Sequence, residues 1–132
     1  MVSGETWQID SAYQEFVKPV RHSKLTDFCV KLTHISQEDV NRAAIFPKVI
    51  SRFKAWMNTY QIIEFCSWGD YDKKQIMQDS VFHKMPYPIT APHHNLKKTF
   101  SEYLGTSKRF GMAAALRKIG LKLHGTHHRG ID

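Results

Sequence analysis

No apolar run in this sequence is long enough to span a bilayer, and no basic amphipathic helix with a wide apolar face stands out, so a membrane partner is not expected. Cysteine is scarce. Cys29 and Cys66 are the only two, they sit inside apolar runs, and they show no pair spacing. That excludes a disulfide scaffold and suits buried, reduced thiols in a cytoplasmic protein. No signal peptide is expected from this pattern, and no internal repeat or low-complexity tract stands out. Acidic residues are also few, with 12 Asp and Glu against 19 Lys and Arg and a net charge of +7. Such an excess suits a polyanion, nucleic acid before membrane, although a soluble basic surface gives the same count.

What is present is enough for one domain. The 132 residues are 42% hydrophobic and 12% aromatic, which predicts a folded globule rather than disorder. Trp7 to Val17 shows β-formers with partial alternation and predicts a strand that Lys18-Pro19 stops. Leu25, Phe28, Cys29 and Leu32 lie at helical spacing over Leu25 to Ile35. Ser36-Gln37-Glu38-Asp39 has the form of a capping box, with Asp in place of the usual Glu, and opens a short helix to Ala44. Pro47 then fits a first helical position, and Val49, Ile50, Phe53, Trp56 and Met57 make one apolar face of an amphipathic helix.

Gln61 to Trp68 is nearly all apolar, as a strand covered on both faces should be. It runs into a turn at Gly69 and a polar helix over Asp72 to Ser80. Pro86, Pro88 and Pro92 make the next segment an extended loop. A brief strand at His93 to Leu96, a helix over Lys97 to Leu104 and a glycine-ended helix over Gly111 to Gly120 complete the chain before its tail. The order implies a mixed α/β layer fold, thinly supplied with strands.

A carboxylate just past a strand end, in the first turn of a helix, is well placed to ligate a metal. Asp70 and Asp72 both stand there, and either also serves as a simple cap. The histidine pairs His93-His94 and His127-His128 invite a zinc reading, but they are far apart and the cysteines belong to other elements. Lys73, Lys74, Lys97, Lys98, Arg117 and Arg129 are among the cations gathered in the C-terminal half, most of them on solvated helix faces.

Several segments together resemble the DEDDh branch of the DnaQ-like 3′–5′ exonucleases, and within it the Eri-like and KapD-like RNA-trimming group. They are Glu15-Phe16-Val17-Lys18-Pro19, Leu25-Thr26-Asp27-Phe28-Cys29, Leu32-Thr33-His34-Ile35-Ser36-Gln37, Phe53-Lys54-Ala55-Trp56-Met57, Trp68-Gly69-Asp70-Tyr71-Asp72, Asn95-Leu96-Lys97-Lys98-Thr99-Phe100 and Gly125 to Asp132. They occur in the family's order. The resemblance implies a ribonuclease-H-like mixed sheet flanked by helices, and a site of four carboxylates with one histidine. Two divalent cations, Mg²⁺ or Mn²⁺, would sit between the carboxylates with the histidine as general base.

By the same resemblance Asp72 matches the aspartate that follows the Trp-Gly turn and is the expected metal ligand, while Asp70 is expected to cap. His128 matches the histidine of the His-x-Gly-Leu-Asp-Asp pattern. A competing register makes His127 the base and Asp132 a ligand. Trp68, Tyr71, Lys73 and Arg129 are the expected contacts to a single-stranded RNA 3′ end. Two departures stand out. Family members often carry glycine where this chain has His34. The opening Asp-x-Glu pair, which holds both metals in the family, occurs nowhere in the sequence. The expectation is a domain lacking the first strand and the last helix, unless a second chain supplies the strand.

Overall fold

The computed structural model describes residues 1–62 and 64–122. In chain order the elements are β1 (Val17–Lys18), α1 (Asp27–Thr33), α2 (Gln37–Arg42), β2 (Ala44–Ile45), α3 (Phe46–Met57), β3 (Phe65–Ser67), α4 (Tyr71–Phe82), β4 (His93–Asn95), α5 (Leu96–Tyr103) and α6 (Met112–Lys118). Among the described residues the strands form two parallel pairs rather than one sheet. Val17 pairs with Ala44 and Lys18 with Ile45. Phe65, Cys66 and Ser67 pair with His93, His94 and Asn95.

Local chemistry accounts for the helix starts. Thr26 caps α1 by accepting from the Cys29 amide at 3.2 Å. The capping box forms as the sequence predicts: Ser36 Oγ accepts from the Asp39 amide at 3.1 Å while Asp39 Oδ2 accepts from the Ser36 amide at 2.9 Å. At the other end of α1, His34 takes φ 58°, and its amide donates to the Val30 carbonyl at 2.8 Å. A left-handed residue closing a helix is the position glycine fills at least cost.

The core sits on α3. Phe46, Val49, Ile50 and Met57 are each about one-twentieth exposed, and Val40 and Ile89 are buried as well. Their spacing follows the helical repeat, and Pro47 occupies the first turn, where no amide partner is lost. A second cluster joins Trp68, Phe100 and Phe110 in ring contact, and Ala115 is the buried residue of α6. The buried hydroxyls Ser80 and Ser101 are satisfied by the carbonyls one turn back, Ile76 at 2.7 Å and Lys97 at 3.0 Å.

Three expectations need correction. The strand over Trp7 to Val17 does not form. Val2 and Ile9 make an isolated antiparallel bridge, and only Val17–Lys18 pairs as a strand. The segment instead spends its side chains on α3: Trp56 Nε1 donates to Ser11 Oγ at 3.0 Å, and Tyr13 meets the Phe53 and Trp56 rings at 5.6 and 5.4 Å. The strand over Gln61 to Trp68 shrinks to Phe65–Ser67, with Glu64 and Cys66 exposed, so it is not covered on both faces. Cysteine burial is likewise corrected. Both thiols are free, but Cys66 is exposed and Cys29 half-buried.

Candidate functional site

Because β3 and β4 run parallel, their carboxyl ends lie on one edge, and each is followed at once by a helix. Such an edge is where open α/β folds bind ligands. β3 leaves through Ser67 and Trp68 into Gly69, whose φ of 112° lies in the region side chains avoid. A Cβ there would sit 3.5 Å from Lys97 Nζ, so the first turn of α5 brings an ammonium group over the turn. α4 then opens with Tyr71 and Asp72, both exposed, and half-buried Lys73.

Side chains from both strands hold this turn. Ser67 Oγ donates to the Gly69 carbonyl at 2.8 Å and lies 2.8 Å from His93 Nε2. With the hydroxyl proton committed, His93 donates through Nε2 and turns Nδ1 toward Asp70 Oδ1 at 3.8 Å. The outline is that of a Ser–His–Asp relay, but the chemistry is not. Ser67 is buried, its proton is engaged, and the His–Asp separation exceeds a hydrogen bond.

Asp70 occupies the cap position of α4 without capping it. Its Oδ1 accepts from Asn95 Nδ2 at 3.0 Å, while Asn95 Oδ1 caps α5 by accepting from the Lys98 amide at 3.1 Å. The expected capping role of Asp70 is therefore corrected: one asparagine ties the starts of α4 and α5 together. Asn95 and His93 were visible in the sequence only as neighbours in a short strand. Their partners lie 25 and 26 residues away, beyond any local pattern.

Asp72 sits two residues past that tie, in the first turn of α4, and its carboxylate has no hydrogen-bond or ion-pair partner among the described residues. Of the two aromatics, Tyr71 is the open one, at 73% exposure. Trp68 is half-buried, donates from Nε1 to the Phe110 carbonyl at 3.0 Å and packs on Phe100. His127, His128, Arg129 and Asp132 lie outside the described residues. Among the described residues no three His, Cys, Asp or Glu side chains converge to hold a metal ion. One free aspartate cannot offset the charge and lost hydration of two dications, so these residues alone do not fit that cage.

Comparison with known proteins supplies the wider frame. Human 3′-5′ exoribonuclease 1 is 26% identical over all of this chain and 40% of its own length. ERI1 exoribonuclease 3 of Mus musculus is 30% identical over 99% of the chain and 41% of itself. The chain thus spans about two fifths of these curated relatives. Among solved structures, the nuclease domain of 3′hExo, a DEDDh family member bound to rAMP, superposes with a TM-score of 0.89 at 26% identity, over 98% of this chain and 68% of that one. The α/β fold is accordingly that of the DEDDh exonucleases, carried here by few strands. The exonuclease (RNase T) family profile matches residues 1–132, with the Trp-Gly turn, Asp72 and the Asn95 junction all inside the match. This chain belongs to the exonuclease family.

Proposed function

We propose that this chain carries part of a metal-dependent 3′–5′ exonuclease site acting on single-stranded nucleic acid, RNA in preference to DNA. The carrying observation is Asp72, a carboxylate with no partner among the described residues, on a braced turn where two parallel strands end. Curated relatives with this sequence pattern are exoribonucleases, which favours RNA. In this reading Asp72 is a ligand for Mg²⁺ or Mn²⁺ and His128 the general base; in the competing register His127 is the base and Asp132 a second ligand. Tyr71 and Trp68 face a base, and Lys73 and Arg129 the phosphates. Asp72 would help to hold the metal, and the chemistry such an ion would supply there is Lewis-acid polarisation of a phosphate. The engaged hydroxyl of Ser67 speaks against that serine as a nucleophile, and in this reading the Asp-x-Glu pair comes from outside these residues, such as a second chain.

The rival reading is a binding module that keeps the basic face and has lost cleavage. Single-stranded RNA labelled at its 5′ end separates the two. The chain alone, with Mg²⁺ or Mn²⁺, should give no ladder. Adding a segment that carries an Asp-x-Glu strand should give one that chelator or Asp72→Asn abolishes. Salt-dependent RNA binding that ignores divalent ions, with no ladder in either case, favours the binding module. A ladder untouched by Asp72→Asn removes the central residue from the proposal.

A further inference from the structure

Away from the turn lies a cleft of about 520 Å³ that no expectation covered. One wall is the segment 17–22, with Lys18, Arg21 and His22; the other is α4, with Gln75, Gln78, Asp79 and Phe82. Its rings are already arranged in layers. The Arg21 guanidinium lies 3.9 Å from the centroid of Phe82, and His83 stacks on Phe46 at 5.4 Å and 13°. The single acidic side chain, Asp79, accepts from Gln75 Nε2 at 3.0 Å. The volume falls in the range of roughly 300–1,000 Å³ found for small-ligand pockets.

One helix, α4, links the cleft to the proposed site. On α4, Asp72, Gln75, Asp79 and Phe82 follow at steps of three, four and three, which places them on one stripe of the helix. At about 1.5 Å per residue that stripe carries a ligand roughly 15 Å from Asp72 to Phe82. Resting on the exonuclease reading, we propose that this cleft is a subsite for the nucleotides upstream of a 3′ end held at Asp72. Lys18 and Arg21 meet phosphates, bases lie against the guanidinium and ring planes, and the Gln75 and Gln78 amides face base edges. Val17, Pro19, Val20 and Phe46 also line the cleft, but the cations and side-chain amides beside them favour a phosphate-bearing strand over a polypeptide.

Fluorescence anisotropy with single-stranded RNA from dinucleotide to octanucleotide, in chelator so that nothing is cut, tests the assignment. Wild-type affinity should rise with length and then level off. The Lys18→Gln, Arg21→Gln pair should leave the dinucleotide unchanged and weaken the octanucleotide about tenfold, and lower its salt slope by about 1.4, two single-strand phosphate contacts. Arg21→Lys should restore the slope without the full affinity, and Phe82→Leu should cost about tenfold at long lengths only. Asp72→Asn should shift all lengths alike. Cleft variants that leave the octanucleotide unchanged, or weaken every length equally, overturn the subsite while the exonuclease reading stands. So does a change of sedimentation without a change of RNA affinity, which marks a polypeptide seat. No RNA binding by the wild-type chain overturns both.

Discussion

Replacing Asn95 with alanine should loosen the turn that presents Asp72, by an amount the structure sets. Two bonds go at once: the acceptor that caps α5 at the Lys98 amide, and the donor to Asp70. Loss of an asparagine cap costs about 1 kcal/mol. The bond to Asp70 is charge-assisted but half open to water, with 53% of the aspartate side chain exposed, so about 0.5–1 kcal/mol is a fair figure. The sum is about 1.5–2 kcal/mol. With a urea slope of about 1–2 kcal/mol per molar, the unfolding midpoint should fall by about 1 M, read by far-ultraviolet dichroism. Asn95→Ser separates the two contributions, since serine still caps but cannot reach Asp70; it should cost about 0.5–1 kcal/mol. If Asn95→Ala lies within about 0.5 kcal/mol of wild type, the tie between α4 and α5 is not holding the turn.

Three further outcomes follow from other parts of the chain. The Arg52 guanidinium, and then the Tyr13 hydroxyl, hold the Glu15 carboxyl below the usual carboxylate range. Its contribution is therefore full above that range and is lost as pH falls through the lowered value, so Arg52→Met should flatten the acid arm of a melting-temperature profile. Local desolvation, and then the Glu64 carboxylate 3.9 Å away, push the Cys66 thiol up. Iodoacetamide at mildly alkaline pH should label Cys66 more slowly than a free thiol of the same concentration, and Glu64→Gln should quicken it. His34→Gly trades a left-handed strain of about 1–2 kcal/mol against about 0.5–1 kcal/mol of added chain entropy. A net gain of about 0.5 kcal/mol in urea unfolding is expected, and a loss above about 1 kcal/mol would show that the imidazole contributes something else there.

Helix α3 and the capping box were legible because their signals are local: apolar residues at helical spacing after Pro47, and Ser36 three residues before Asp39. The turn at Gly69 and the helix beyond it were legible for the same reason. The segment from Trp7 misled because β-forming aromatics pack on a helix face as readily as on a sheet, and Tyr13 does the former. β3 was read too long because apolar character says nothing of how many partners a strand has, and β3 pairs with β4 over three residues. Asp70 was misjudged because the donor that competes for its carboxylate, Asn95, sits 25 residues on. The arginine–phenylalanine layer of the cleft escaped for the same reason, since Arg21 and Phe82 meet only in the fold. The chain also offers no helix long and apolar enough to cross a membrane among the described residues.

Paramagnetic Mn²⁺ added to isotope-labelled chain tests the account at its centre, because broadening of backbone amide signals reports where a dication sits even when it binds weakly. The amides of Gly69 to Lys74 and of Asn95 should broaden first, and Asp72→Asn should abolish that pattern while leaving the spectrum otherwise folded. Broadening centred elsewhere, or the same pattern in Asp72→Asn, would contradict the assignment of Asp72 as the metal-binding carboxylate.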